Sequence, residues 1–371
     1  MSNLEQLNIG VVGACGRGSS FKAACDAIPD ISIHAVCDTN EEDLPETAER
    51  LGAREAYAKY DNMLVESEID AVIIGTPMPC HVPQAVAALG DDIHVLSEVP
   101  AGVSVDECRQ LVETWKQSEA TYMMAENYTY MRPNVAVRQM VSEGLFGTTY
   151  YAEGEYIHEL KELNEVTKWR RKWQTGINGI TYGTHSLGPL LQWMPDDRVV
   201  EVCCAGSGHH YRDPRGDEYE NEDSCVMLGR MESGGLVKVR VDMLSDRPHA
   251  TTNYQLQGTD GCYESARAPG EKNRIWLRTH SPDRSTWMDL EEVERDFLPD
   301  RWEKWRETAQ KTGHGGGDFY ELLDFFDAIG GVRPCPVGMH EAMDMTLPGL
   351  VSQKSITEGG RWLEVPDSRE W

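Results

Sequence analysis

The sequence predicts an α/β chain of two domains: an N-terminal domain doubly wound on a parallel sheet, and a C-terminal α+β domain on a large, mostly antiparallel open sheet. Three observations predict it. An apolar strand at 7–13 empties into a turn with Gly13, Gly16 and Gly18; strands and helices alternate through residue 125, with A-V-I-I-G at 71–75 apolar throughout; from 148 onward the strands alternate apolar with polar residues. Uninterrupted apolar strands are buried on both faces, whereas alternation marks a sheet with one solvated face. At 371 residues the chain exceeds what one core usually supports.

The elements follow in order. After the turn come a helix at 19–28 and a strand from Ile31 to Cys37 that stops at Asp38. Helices at 45–51 and 59–66 lead to the 71–75 strand, which Thr76-Pro77 breaks. A helix at 81–89, a strand from His94 to Leu96 ending at Ser97-Glu98-Val99-Pro100, a helix at 104–117 and a strand at 121–125 complete the unit before Glu126-Asn127. A first strand that ends in glycines exposes backbone N–H groups to a pyrophosphate, and an acidic residue 25 positions after Gly13 stands where it can accept hydrogen bonds from ribose hydroxyls. Residues 1–126 therefore read as a Rossmann-type dinucleotide-binding domain, with NAD favoured over NADP by Asp38. Gly13, Cys15, Gly16, Arg17, Gly18, Asp38, Thr76, Pro77, His81, Glu98 and Asn127 are its candidate cofactor residues. Cys15 occupies the second glycine position of the usual G-x-G-x-x-G, and its Cβ crowds the pyrophosphate unless Gly16 lets the chain swing aside. Solvent exposure or helix-end hydrogen bonding explains His81 equally well.

Residues 127–371 read as the substrate and oligomerisation domain, with C-terminal helices that can pack back on the first domain. The spacing predicts a helix at 133–143 and strands at 148–158, 199–206, 223–230, 235–243, 251–257, 261–265 and 273–279. A linker with an amphipathic helix spans 286–310, and closing helices span 318–329 and 339–355. The open sheet face calls for cover, which predicts a homo-oligomer, a dimer or tetramer.

Composition narrows the function. The formal charge is −27, from 62 acidic and 35 basic residues, of which 11 are lysines. Such a field repels phosphate backbones and anionic membranes, so no nucleic-acid or membrane partner is expected; it also suits high salt, where screening relieves self-repulsion. The absence of a basic, apolar leader in Met1–Gln6 and of any long apolar run predicts a soluble, cytoplasmic protein. The ten cysteines form no C-x-x-C pair or Cys/His ladder and read as reduced packing thiols. Asp289, Glu291, Glu292 and Glu294 fan around a helix, so no metal site is expected.

The succession G-A-C-G-R-G, Asp38, T-P-M-P-C-H at 76–81, E-V-P at 98–100 and E-N-Y at 126–128, followed by a sheet domain, resembles the glucose-fructose oxidoreductase/inositol dehydrogenase (Gfo/Idh/MocA) family. The resemblance covers nearly the whole chain. Many dehydrogenases of that family carry E-K-P, whose lysine helps deprotonate a substrate hydroxyl. Val99 stands there in this chain and has no proton to exchange, which puts lysine-assisted alcohol oxidation in doubt. Glu98-Val99-Pro100-Ala101, Tyr156-Ile157-His158, Tyr182-Gly183-Thr184-His185 with Ser186-Leu187-Gly188-Pro189, and Gly313-His314-Gly315-Gly316-Gly317-Asp318 resemble the NAD-dependent glycosidase branch typified by α-N-acetylgalactosaminidases. The chain departs from that branch in a shorter connection between the two Tyr/His pairs and in lacking an export signal, so the N-acetylgalactosamine specificity is not carried over.

Tyr156 and His158, two apart on a strand, share one face; Tyr182 and His185, three apart at a helix start, share another. Ring packing and surface ion pairing explain such pairs as readily as catalysis; the resemblance implies that these four residues are catalytic. It further implies NAD and a small-molecule carbohydrate as ligands, with transient oxidation at C3, elimination of the C1 substituent, water addition and return of the hydride. A conventional sugar or cyclitol dehydrogenase and a non-catalytic dinucleotide-binding scaffold stay open as alternatives. His314, Trp169 and Arg170 are candidate sugar-binding residues, beside the bland readings of a flexible loop and a solvated basic patch at 168–172. Asp318 reads as a helix-start residue.

Overall fold

The computed structural model describes residues 6–248 and 251–371. Of the N-terminal residues read for export, Met1 to Glu5 lie outside the described part. The chain divides into two compact units: residues up to Tyr130 with Trp305–Met343 and Ser368–Trp371, and Met131–Lys304 with Asp344–Asp367.

The first unit carries six strands: β1 (Leu7–Val12), β2 (Ile31–Cys37), β3 (Glu55–Tyr57), β4 (Ala71–Ile74), β5 (His94–Ser97) and β6 (Tyr122–Met124). They form one sheet in the order β3-β2-β1-β4-β5-β6, all parallel. Helices α1 (Lys22–Ala27), α2 (Leu44–Leu51), α3 (Tyr60–Glu66), α4 (His81–Gly90) and α5 (Val105–Trp115) connect them. Ile9, Val11, Ile73, Val95 and Leu96 are fully buried, as two-sided cover of a parallel sheet requires. Register places the site. Val12 lies beside Cys37 and Ile74, Ile74 beside Ser97, and Ser97 beside Met124. The residues that follow these strands, Gly13, Asp38, Gly75, Glu98 and Glu126, therefore emerge along one edge, where open α/β sheets bind ligands.

The expected 19–28 helix is instead a 3-10 turn at Arg17–Phe21 followed by the short α1. The hydroxyls of Ser19 and Ser20 donate back to the carbonyls of Gly16 and Arg17, competing with regular helix bonding.

The second unit begins with α6 (Arg132–Ser142), β7 (Thr149–Ile157), α7 (Lys161–Val166), α8 (Trp169–Trp173) and α9 (Thr184–Trp193). Strands β8 (Val199–Gly206), β9 (Ser224–Met231), β10 (Leu236–Asp242), β11 (Thr252–Gly258), β12 (Gly261–Glu264), β13 (Arg274–Leu277), β14 (Met288–Asp289) and β15 (Leu363–Glu364) join β7 in a nine-stranded sheet, ordered β14-β13-β12-β11-β7-β10-β9-β8-β15. Only β7 and β10 pair in parallel. Helix α10 (Leu290–Val293) and α11 (Asp300–Ala309) occupy the expected linker, and α12 (Gly317–Ile329) and α13 (Met339–Thr357) close the chain. One sheet face is core: Ala152, Val237, Val239, Cys225 and Met227 are buried. On the other, Glu153, Val226, Leu228 and Lys238 stay half-exposed. Helix α9 approaches β7 closely because Gly154 has no side chain; a Cβ there lies 2.7 Å from the Ser186 carbonyl oxygen.

Tyr182 precedes its helix rather than starting it, since α9 begins at Thr184. The segment before it is fixed from outside the helix: the Thr181 hydroxyl donates to the Gln174 carbonyl and the Ile180 N–H to Ser352 Oγ. Strands β3, β14 and β15 and helices α7 and α8 were not anticipated, being too short to show a period.

Candidate active site

The first unit builds a dinucleotide cradle. Gly13 adopts φ +75°, and a Cβ on it lies 2.5 Å from the Gly75 carbonyl; one on Gly75 lies 2.5 Å from Gly18 N, and one on Gly18 lies 2.8 Å from Val11. These three glycines interlock the turn with the end of β4. Gly16 differs, since its Cβ direction meets nothing nearer than 3.7 Å, which leaves one open side for a ligand's phosphates. Cys15 does not crowd that side. Its N–H donates to Asp38 Oδ2 at 2.8 Å and its thiol turns toward the Asn40 carbonyl. Asp38 also accepts from Asn40 N at 2.9 Å, and its carboxylate keeps lone pairs for ribose hydroxyls.

Thr76 donates its hydroxyl to Gln84 Oε1, and buried His81 bridges the Pro100 carbonyl (2.8 Å) and the Thr76 carbonyl (2.9 Å). Its ring thereby ties together the segments following β4 and β5, Pro77 included. Arg17 donates from Nε to Glu98 Oε1 at 2.6 Å and bonds the Ser20 hydroxyl. It also lies 3.5 Å from both Asp318 oxygens and stacks on Phe21. Burial opposes its charge, yet Glu98 and Asp318 hold it more firmly protonated than a free arginine.

Asp318 stands in the first turn of α12, as the sequence reading has it, and also joins the side chains of this unit. Fully buried on α12, it meets Arg17, His314 Nδ1 (2.9 Å) and Asn127 Nδ2 (3.3 Å). Burial pushes its carboxyl up, but the His314 hydrogen bond and the Arg17 charge bring it below the ordinary aspartate value. The i, i+4 spacing from His314 was the signal that could have found that contact. Asn127 Oδ1, also buried, has no hydrogen-bond partner among the described residues, an acceptor left for a ligand donor.

His314 sits at φ +52°, followed by Gly315 at +64° and Gly316 at +100°. Such left-handed backbone at a non-glycine residue stores on the order of 1 kcal/mol and needs surrounding support. The Nδ1 that meets Asp318 also lies 3.1 Å from Asn127 Nδ2, and the His314 side chain is 39% exposed. An imidazole oriented by a buried carboxylate is competent for acid/base work.

The second unit gathers four rings. Tyr156 Oη and His158 Nδ1 are 2.7 Å apart; the Tyr156 ring lies 5.3 Å from both Tyr182 and His185, which are 5.0 Å from each other. Tyr156 is the last but one residue of β7, His158 follows the strand, and His185 enters on α9, held by Tyr254, whose hydroxyl donates to the His185 carbonyl at 2.6 Å. Two phenols and two imidazoles packed together, with one hydrogen bond between Tyr156 and His158, are groups suited to acid/base work.

Arg170 stacks on Trp169 and donates to Gln174, while its buried Nε has no partner among the described residues. Its neighbour Arg171 is committed to Asp213 and Glu220. At 209–212, on the surface, His210 pairs with Asp223 and Arg212 with Glu218.

A parallel sheet in this order, with a glycine turn open at Gly16 and an acidic residue after β2, defines an NAD-binding domain of oxidoreductase type. Residues 7–126 match the oxidoreductase family, NAD-binding Rossmann fold, and residues 130–370 match glycosyl hydrolase 109, C-terminal domain. The chain belongs to glycosyl hydrolase family 109. A glycosyl hydrolase family 109 protein of Saccharopolyspora erythraea is 32% identical over 98% of this chain and 83% of its own length. An alpha-N-acetylgalactosaminidase of Shewanella oneidensis is 27% identical over 98% and 85%. Among solved structures, levoglucosan dehydrogenase in complex with NADH and L-sorbose superimposes with a TM-score of 0.81 at 20% identity, over 98% of this chain and 100% of that one. The WlbA dehydrogenase of Bordetella pertussis, in complex with NADH and UDP-GlcNAcA, gives 0.78 at 20% identity over 99% of each. These likenesses carry the fold. The chain is thus an NAD-dependent, carbohydrate-acting enzyme in which the expected Rossmann domain, sheet domain and cofactor are borne out.

Proposed function

We propose that the protein hydrolyses glycosides of a pyranose with a free C3 hydroxyl by transient oxidation at C3. The observation that carries this reading is the ring cluster of Tyr156, His158, Tyr182 and His185, in a chain whose Val99 supplies no lysine. NAD+, held by the Gly13–Gly18 turn and Asp38, would supply a hydride acceptor for C3 and the means of its return. Tyr182 removes the hydroxyl proton with His185 assisting. The ketone then acidifies the C2–H, the C1 substituent is eliminated with the hydrogen-bonded Tyr156–His158 pair handling the C2 proton or the leaving group, and water adds across C1 and C2, giving C1 its hydroxyl and C2 its proton, before the hydride returns. Arg170, on Trp169, binds sugar oxygens through its unfilled Nε–H, and His314 is a further proton carrier. In the cradle, the backbone at Gly13, Cys15, Gly16, Arg17 and Gly18 takes the pyrophosphate, Asp38 takes the ribose and Asn127 the far end, while Thr76, Pro77, His81 and Glu98 shape the strand ends. The N-acetylgalactosamine named for the Shewanella relative is not assigned to this chain.

Residues 1–126 serve as the cofactor domain and 127–371 as the sugar domain. A second copy covers the half-exposed sheet face, and the ten free thiols suit a reducing cytoplasm.

The test is anaerobic incubation with aryl glycosides in D2O. Aglycone release without stoichiometric NADH, with deuterium at C2 of the product sugar and none at C3, is the expected result. Accumulated NADH with intact glycoside would instead make the protein a sugar dehydrogenase. Hydrolysis without C2 deuterium would overturn the redox route.

A further inference from the structure

One buried acid has no part in the chemistry above. Glu321, three residues after Asp318 on α12, is 0% exposed, and neither carboxyl oxygen has a hydrogen-bond partner among the described residues. Its charged neighbours are Asp318 on the same helix, Glu98 after β5, Arg17 after β1 and Glu126 after β6. The elements packed on α12 add Tyr128 and Tyr130 from the turn at Asn127–Tyr130, His314 from the turn at His314–Gly316, and Lys22, Cys25 and Asp26 from α1. Lys22 and Asp26 pair with each other. Three carboxyls, Glu98, Asp318 and Glu321, thus draw on one guanidinium, which is bonded to Glu98 and lies 3.5 Å from Asp318. Among the described residues no three acids or histidines converge in a geometry that could hold a metal ion. A carboxyl sealed from water with no donor to either oxygen favours its neutral form, and burial and the neighbouring carboxylates push Glu321 well above the ordinary glutamate range, against the pull of Arg17.

We propose that Glu321 is a redox-linked proton store for the bound dinucleotide. Ligands of such sheets bind at these strand ends, and the oxidised nicotinamide ring carries a positive charge that the reduced ring lacks. A cation at this edge favours the ionised form of a nearby buried carboxyl, so Glu321 gives up its proton when NAD+ binds. Oxidation of an alcohol sends two electrons and one proton to the ring as hydride and leaves one hydroxyl proton over. Glu321 takes up one proton as the ring becomes neutral, so the summed charge of ring and carboxyl is unchanged across the transfer. Return of the hydride reverses both changes.

The inference rests on NAD binding alone, and its test omits sugar, so its failure leaves the glycosidase reading untouched. Calorimetric titrations of NAD+ and of NADH in two buffers of different ionisation enthalpy, at neutral to mildly alkaline pH, count the protons released. NAD+ is expected to release up to about one proton per site more than NADH. Glu321→Gln, which keeps shape and neutrality, is expected to abolish that difference. Equal proton counts for the two forms, or a difference that survives in E321Q, would overturn the proposal. Should E321Q not fold, infrared difference spectra of the wild-type protein decide: loss of a protonated-carboxyl band with NAD+ relative to NADH supports it, and an unchanged band refutes it.

Discussion

Arg17→Gln removes the cation that faces Glu98 and Asp318, whose side chains are 12% and 0% exposed. Taking one partner from a buried ion pair costs about 3–5 kcal/mol, because the remaining charge stays desolvated. Arg17 itself is 27% exposed, so water screens part of the interaction and the lower end, about 3 kcal/mol, is expected. The pH dependence gives the sign. In the native protein Asp318 lies below its ordinary value, so its contribution is present above the unfolded pKa of about 3.9 and is lost as pH falls through the folded value. Without the guanidinium only the His314 contacts oppose burial, so Asp318 rises relative to the native protein, and the deficit of the variant shrinks as pH falls toward about 4, where the carboxyl is protonated in the unfolded chain as well. Urea unfolding of the dinucleotide-free protein, wild type against R17Q, measures the deficit at neutral pH and near pH 4. A deficit below about 1 kcal/mol at neutral pH, or an equal deficit at both, would refute the network as the source of stability.

Gly16→Ala is expected to melt like the wild type, because its Cβ meets open space, yet to bind NAD+ at least about tenfold more weakly; Gly13→Ala, at φ +75° against the Gly75 carbonyl, is expected to lose more than about 2 kcal/mol of stability. Equal dinucleotide affinity in Gly16→Ala would remove the open side from the cofactor site. Tyr156→Phe keeps the buried ring and deletes the 2.7 Å bond to His158, so aryl-glycoside turnover should drop about 10²-fold with the fold intact; turnover within twofold of wild type would exclude the pair from the chemistry. Cys25 and Cys37 are pushed up to about 12 by burial, with adjacent aspartates adding to the shift. Peptide mass spectrometry after iodoacetamide treatment near pH 8 should find both unmodified in native protein and modified in urea, and native labelling of either would contradict their burial.

The strand ends of the first unit were legible because a parallel sheet aligns them by register. Once Gly13, Asp38, Thr76 and Glu98 each follow an apolar run, the sheet brings them to one edge. The Tyr156–His158 contact was legible for a similar reason, since a period of two puts both side chains on one face. The contact of Tyr182 with His185 came out as expected, although the helical geometry invoked for it did not, because loop bonds to Gln174 and Ser352 hold Tyr182 ahead of α9.

Sequence alone therefore determined the fold class, the shared edge of the strand ends and the Tyr156–His158 pair, since each depends on local periodicity or on a turn chemistry written in neighbouring residues. Tertiary structure decided that Arg17 spends its guanidinium on Glu98 and Asp318, 81 and 301 positions away, and that Glu321 is sealed without a partner. It also decided that Gly16, rather than the second glycine of the usual motif, leaves the open side. Charge pairing and desolvation depend on what packs around a group, and residues hundreds of positions apart in the chain carry no local pattern that announces their meeting.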